Sequence, residues 1–315
     1  MTSDDLDLLV VGAGRTGLTA ALTALRERPT LRLAVVDALP QPGGTTRTQR
    51  SNGFLCELGP FAFAREEIAP LLDLLPAPPR LIECLESGRR GLLITPDGPQ
   101  SIDVEPRPVS FAAGNEELPQ ACRRALGPAL RLGREVVAIT PAGDRFLVEL
   151  GGEVRHALTT SDLLLAVPPP AAGRLLGNFD PALAEVAQRC ESRQVAYAWF
   201  GGDRGQAPTL VGYGAVPRED LPSPLAEAIC CDQVFPGRAL PGRFLVRCEL
   251  PTPPASDDDA LNTAAAELRR WTGTTAAFGF QKLHRFAVPV PDGAWVECRM
   301  RLQHLPRRVP GLRLA

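Results

Sequence analysis

Lysine is almost absent from this chain: of its 34 basic residues only Lys282 is a lysine, and the rest are arginines. Histidine (His156, His284 and His304), methionine and tyrosine are scarce too, at three, two and two residues in 315. With 36 acidic residues against those 34, the net charge is −2, so no basic surface argues for nucleic acid or an anionic membrane. The eight cysteines (Cys56, Cys84, Cys122, Cys190, Cys230, Cys231, Cys248 and Cys298) contain no C-x-x-C pair, and the histidines do not cluster with them. That spacing excludes the common zinc patterns and a disulfide framework, and it suits a reducing compartment. The start, MTSDDLDLLVVG, has acidic residues where a signal peptide needs basic ones. No apolar run approaches the ~18 residues that span a bilayer. The expectation is a cytoplasmic protein without metal, nucleic-acid partner or transmembrane segment.

What is present begins with LLVVGAGRTGLTAAL, Leu8 to Leu22. A short Val/Leu run ending on glycine reads as a buried parallel strand. Leu18, Leu22 and Leu25 then recur at helical spacing, and LRLAVVDA reads as a second buried strand ending near Asp37. This is a strand–helix–strand unit with its glycine turn before the helix. Farther on, NEELPQACRRALG reads as an amphipathic helix, and residues 130–158 read as strands joined by turns at PAGD and GG. SDLLLAVPPP reads as another strand, broken by its prolines. From about Pro181 the pattern suggests antiparallel strands with one late helix, DDDALNTAAAELRRWTG, whose acidic start and Gly273 suit a helix N-terminus and end.

The glycines carry the chemistry. In GAGRTG, Gly12 permits the turn leaving the strand, Gly14 lets the backbone, with Ala13, approach a pyrophosphate, and Gly17 lets the helix pack close to the sheet. The helix N-terminus offers unpaired N–H groups to phosphates. Asp37 stands twenty residues after Gly17, where a carboxylate can accept ribose hydroxyls. The alternative, glycines serving only tight packing, is weakened by both strands, helix and acid standing in register. Next comes PQPGGTTRTQRSNGFLCELGPFAF. Gly43 and Gly44 would let a second backbone segment approach the same ligand, and the Arg47 guanidinium matches phosphate oxygens. Gly59-Pro60 makes a stiff corner suited to lying against a flat ring. An NAD-only domain has no use for this additional loop.

The series VVGAGRTGLTAA, VVDA, PGGTTRT and GFLCELGPFAF resembles the flavin-containing amine oxidase superfamily and, within it, the protoporphyrinogen oxidases. Glu57, Gly59, Pro60 and Phe63 stand in register with their GF-x-x-E-x-GP-x-x-F string. VSFAAGNEELPQACRRAL, LRLGREVVAIT, LLLAVPPPAAGRLL, QVFPGRALPG and RVPGLRLA are similar to later segments of the family, in the same order. The resemblance implies an α/β fold: a Rossmann-like FAD-binding domain, its parallel sheet carrying a β-meander, plus a smaller α+β substrate domain with an antiparallel sheet. It implies FAD at residues 1–75 and 109–178, a substrate-domain excursion at 76–108, the substrate domain at 179–290 and a return at 291–315. Val136 is then expected near the adenine. The implied reaction is hydride removal from a small-molecule substrate such as a porphyrinogen, as in heme biosynthesis. An amine or polyene is the alternative substrate, and a non-catalytic flavin-binding or structural paralogue is the third reading.

Three departures from the family pattern shape further expectations. Only fifty residues separate Pro60 from Ser110, so the family's helical substrate region is mostly missing. Thr45 stands where amine oxidases carry arginine, with Arg47 expected to take over its phosphate contact. The chain stops at PGLRLA where relatives continue with Gly-Asp and a helix, which suggests a fragment or an FAD site that has lost a part. The open face would grip a macrocycle poorly unless a second copy or a partner chain completes the pocket. No catalytic side chain is identified: Lys282 is expected in solvent, His284 as an ordinary hydrogen-bonded histidine, and AEAICCDQVF as a buried strand with two packed thiols.

Overall fold

The computed structural model describes residues 4–105, 107–152, 156–210, 212–275 and 277–314. The expected turn at Gly151-Gly152 runs into residues outside that set, as does the terminal Ala315.

Two seven-stranded sheets organise the chain. In the first, Asp4–Val11 lies between Leu33–Asp37 and His156–Leu165, parallel to both. Leu130–Leu132 adds to the outer edge of Leu33–Asp37, again parallel. Val136–Ala142, Arg145–Leu150 and His156–Leu165 form an antiparallel meander on the other side, and Leu312–Leu314 joins the end of His156–Leu165. The strand–helix–strand unit is as the sequence predicts: the helix Arg15–Glu27 buries Gly17, Leu18, Ala21 and Leu22. These are positions i, i+1, i+4 and i+5, the stripe that a sheet-covering helix presents.

SDLLLAVPPP is not a separate strand. It is the second half of His156–Leu165, and the prolines open the helix Pro169–Leu176 instead of ending regular structure. Proline is well placed there, because the first helical N–H groups have no intrahelical acceptor. The same logic corrects the reading from Pro181 onward. Pro181–Arg189 is a helix, its N-terminus held by Asp180 accepting from the Leu183 amide at 3.0 Å. Its apolar face joins the core of the first sheet through Leu183, Ala184, Val186 and Ala187.

The second sheet runs, in order, Phe280–Pro289, Ser192–Asp203, Arg243–Leu250, Glu227–Cys230, Gly214–Pro217, Arg90–Thr95 and Gly98–Asp103. It is mainly antiparallel, with one parallel pairing between Gly214–Pro217 and Arg90–Thr95. Residues 90–103 thus leave the first sheet's neighbourhood to complete the second. Alternation sorts the central strands: Ala196, Ala198, Phe200, Val246 and Cys248 face the helix Asp257–Thr272, packing with its Ala264 and Leu268. Tyr197, Trp199 and Leu245 face the other way, against Phe54, Cys56 and Phe61 from the first half of the chain. That second face packs against the two-stranded hairpin Thr48–Ser51 and Phe54–Glu57 and the loop that follows it, and this contact is the seam between the two halves of the chain. Glu227–Cys230 is a strand, but Cys231–Val234 turns into one helical turn, a correction to the continuous strand expected for AEAICCDQVF. Among the described residues no helix is long and apolar enough to cross a membrane.

The closest approach in the first sheet is at its glycines. A Cβ on Gly17 would sit 2.0 Å from the Gly12 carbonyl oxygen and 3.2 Å from Val10. Gly17→Ala should therefore force helix and strand apart and cost about 1–3 kcal/mol, the range for overpacking a tight interface. Urea denaturation of mutant and parent measures it.

Candidate functional site

The C-terminal ends of the parallel strands open into a cavity of about 450 Å³, walled by Gly12, Gly14, Asp37, Gly44 and Val136 together with Thr45, Arg134, Glu135 and Arg174. Gly12 has φ +108°, and a Cβ there would lie 2.3 Å from the Ala166 carbonyl oxygen, so only glycine lets the two strand ends meet. Gly14 differs: a Cβ would meet no protein atom within 4 Å, because it would project into the cavity. Gly44 (φ +60°) brings its loop to the opposite side, its Cβ position 3.5 Å from the Gly14 Cα. Two glycine turns thus face one another at the N-terminus of the first helix.

Asp37 holds that turn in shape. Its Oδ2 accepts from the Ala13 amide at 2.6 Å and its Oδ1 from the Leu39 amide at 2.8 Å. The carboxylate is therefore already engaged by backbone, with lone pairs left for a ligand on the cavity side. Val136 starts the meander strand, and an irregularity between Val136 and Ala138 sets it against the cavity. Gly43 plays a packing role: its amide donates to the Ala13 carbonyl at 2.7 Å, and a Cβ would strike Pro119 at 2.8 Å.

Arg47 and Gly59 lie toward the seam instead of among the walls of this cavity. The Arg47 Nε is buried without a hydrogen-bond partner. A Cβ on Gly59 would sit 2.0 Å from the Thr45 carbonyl oxygen, so this glycine is demanded by close chain packing. Its neighbours Pro60 and Phe61 line a second cavity of about 390 Å³ on the other side of the corner. Thr45 walls the first cavity and Pro60 the second, so the corner is their common boundary.

The second cavity gathers groups far apart in sequence. Both tyrosines of the chain, Tyr197 and Tyr213, line it with Glu227, Arg247 and Glu249. Strand register explains the grouping: Tyr197 lies opposite Glu249, and Glu249 opposite Glu227. Arg247, buried, donates from Nη2 to Glu227 at 2.8 Å and from Nη1 to the Gly59 carbonyl at 3.1 Å. Its guanidinium also lies 4.1 Å from the Tyr197 ring centroid and 5.2 Å from that of Phe61. Burial and then the Glu227 charge push the Glu249 carboxyl above its ordinary range. None of these five residues was legible from a local motif; the signal was only the rarity of tyrosine.

Lys282, expected in solvent, departs from the sequence reading, and His284 lies beside it on the same strand. They occupy alternate positions of Phe280–Pro289, opposite Trp199 and Tyr197, and both are half-buried at the seam. The His284 ring stacks on Phe286 at 6.1 Å, and burial, Lys282 and Arg47 hold its pKa below the ordinary value. At neutral pH His284 is therefore a neutral imidazole beside two cations.

A glycine turn at the end of a parallel strand, a second glycine loop across from it and an appended second sheet define a Rossmann-like dinucleotide-binding fold. The chain belongs to the flavin containing amine oxidoreductase family, whose profile matches residues 81–315, while residues 10–75 match the NAD(P)-binding Rossmann-like domain. FAD is its cofactor, and the open space at Gly14 fits a ligand that needs bare backbone there. The chain is 39% identical over 92 residues to hydroxysqualene dehydroxylase of Rhodopseudomonas palustris, a stretch covering 28% of this chain and 19% of that protein. It is 33% identical over 54 residues to coproporphyrinogen III oxidase of Staphylococcus aureus, covering 17% of this chain and 12% of that one. These matches therefore span less than a fifth of the curated relatives. An Exiguobacterium sp. structure provisionally named a protoporphyrinogen oxidase superposes with TM-score 0.82 at 16% identity, over 100% of this chain and 94% of that one. Wild-type putrescine oxidase bound to putrescine gives TM-score 0.71 at 15% identity, over 100% and 94%. Reduced UDP-galactopyranose mutase gives 0.76 at 12%, over 98% and 89%. At such identities these likenesses establish the fold.

Glu57, from the string that carried the resemblance, sits buried beneath the Gly59-Pro60 corner. Burial pushes its carboxyl from 4.5 to about 7, opposed by Arg238, whose Nη2 lies 3.6 Å from Oε1. The folded chain binds this proton more tightly than the unfolded chain. The stability it contributes is complete below about pH 4.5, falls as pH rises toward 7 and is lost above. Urea midpoints of the parent should show this decline, on the order of 3 kcal/mol, and Glu57→Gln should remove it.

Proposed function

We propose that this chain is an FAD-dependent oxidoreductase that removes hydride from a small organic substrate held in the second cavity. The observation that carries this reading is the pair of bare glycine turns, Gly14 and Gly44, facing each other over open space beside a corner shared with an aromatic, acid-lined cavity. Bound FAD accepts the hydride and passes the electrons to oxygen or another acceptor, while the protein supplies orientation and water exclusion. Gly12, Ala13, Gly14 and Gly44 present backbone to the pyrophosphate, and Asp37 takes the ribose while bracing the turn. Val136 borders the adenine. Gly17 and Gly43 contribute by allowing close packing, not by touching the ligand. The unpartnered Nε of Arg47 and the Gly59-Pro60 corner serve the flavin end.

The protoporphyrinogen oxidase-like reading rests on the motifs along the chain, and it includes a partner chain or second copy that closes the open face. The charge of the second cavity supports a different substrate. Arg247 pairs with Glu227, and Glu249 stands at the level of Tyr197, so two carboxyl groups and one guanidinium line the cavity. A porphyrinogen brings several carboxylates of its own and would be repelled. A neutral substrate, or an amine meeting Glu249 and the aromatic faces, has no such cost.

Two measurements test the proposal. Gly14→Val should leave circular dichroism unchanged and abolish the flavin absorbance of the purified protein, since the side chain fills space that only ligand occupies; retention of a full complement of FAD would sink the assignment. Anaerobic mixing with protoporphyrinogen should bleach the flavin far more slowly than about one per second, and an aromatic primary amine should bleach it faster. Rapid bleaching by protoporphyrinogen would reverse the substrate reading.

A further inference from the structure

Beneath the Gly59-Pro60 corner lies a closed set of buried polar side chains that neither cavity uses. Asn115 is 0% exposed, and its Nδ2 donates to two successive carbonyls of the corner, Pro60 at 2.8 Å and Phe61 at 3.0 Å. Its Oδ1 accepts from the Ser110 hydroxyl at 2.6 Å, and that hydroxyl accepts from Arg238 Nη2, also at 2.6 Å. Its backbone amide donates to the Glu57 carboxylate at 3.0 Å, which also accepts from the Thr48 hydroxyl at 2.7 Å. Both N–H donors of the Asn115 side chain and one of the two acceptor sites on its Oδ1 are thus committed. Arg238 arrives from the other half of the chain, 0% exposed, with Nε and Nη1 lacking hydrogen-bond partners and its guanidinium 5.4 Å from the Phe235 ring centroid.

Burying an under-satisfied guanidinium and a carboxylate costs far more than apolar residues of similar volume would. A structure-only role is a poor account of that expense, since the surrounding seam packs with Phe61, Phe235 and Trp199. The group has a geometric output instead. It fixes from below the two peptide units whose upper side borders the second cavity, while Arg247 fixes the Gly59 carbonyl from the flank.

We propose that Asn115, braced by Glu57 and by Arg238 through Ser110, is a positioning residue that sets the height of the Gly59–Phe61 corner between the FAD cavity and the substrate cavity. The link from corner to FAD rests on the function proposed above; the clamp itself does not. Without the Asn115 carboxamide, two carbonyls lose their donors and the corner lifts, so both ligands meet a displaced wall. Thr48 closes the set from the strand side, with its hydroxyl also accepting from the Glu116 amide at 3.1 Å.

The test uses the full chain and two variants. Asn115→Ala removes the donors, and the near-isosteric Asn115→Asp keeps the volume while placing an oxygen where the amide nitrogen stands. Hydrogen exchange is followed by mass spectrometry on peptides covering residues 58–63 and, as control, 8–11; FAD affinity and the fine structure of its visible band are recorded in parallel. In both variants, exchange over 58–63 should rise about tenfold or more, as expected for losing two buried hydrogen bonds, with 8–11 unchanged. FAD should bind about tenfold more weakly, with its band smoothed toward that of free flavin. If Asn115→Ala fails to fold, Asn115→Asp carries the test. Exchange at the parent rate over 58–63, or a loss of protection spread evenly along the chain, overturns the clamp. Local loosening in the variants, when the parent chain itself binds no FAD, upholds the clamp and defeats the function proposed above. Local loosening with FAD affinity and spectrum unchanged overturns the assigned role at the cofactor.

Discussion

Bare backbone at Gly12 and Gly17 is the constraint on which the rest hangs. The first helix starts almost in contact with two strand ends, and a single methyl at either position would meet a carbonyl oxygen at 2.3 or 2.0 Å. Because that approach is so close, the helix N-terminus is delivered to the mouth of the sheet, and Gly14 is left facing empty space. Asp37, accepting from Ala13, locks the same turn from the neighbouring strand. The cavity is thus a by-product of packing, opening where the tight turn leaves room.

The second constraint is electrostatic. Two arginines, Arg238 and Arg247, are buried at the seam, each facing a glutamate contributed from elsewhere in the chain. Arg247 binds the carbonyl before Pro60, and Arg238 acts on the carbonyls after it through Ser110 and Asn115. A corner of three residues therefore collects forces from the Glu57 strand, the Asn115 turn and the second sheet. Arginine suits this task because its fork satisfies several acceptors at fixed angles and does not deprotonate.

The parallel unit, its glycine turn and Asp37 were readable from the sequence because their causes are local: strand runs, helical spacing and a turn that only glycine tolerates. The meander was readable for the same reason, its Gly143-Asp144 turn falling between two alternating strands. What could not be read was contributed by register. Tyr197, Glu249 and Glu227 become neighbours only because three strands align at that level, and no spacing along the chain encodes it. Lys282 was placed in solvent by its polarity, yet its strand edges the seam, and the long side chain lies half-buried beside His284. Proline misled at 168–170 and at Pro181, where it begins helices rather than interrupting strands.

All eight thiols are buried, and their placement has a use. Cys190 and Cys298 sit in the core of the first sheet beneath the meander, Cys122 in the core behind the first helix, Cys230 and Cys248 in the core of the second sheet, and Cys56, Cys84 and Cys231 at the seam. Each of the four packed regions carries at least one reporter that an alkylating reagent reaches only when that region opens. Trapping rates resolved cysteine by cysteine would then rank the regions by their opening free energies without introducing a single mutation. The natural sequence thus comes with a built-in map of its own breathing.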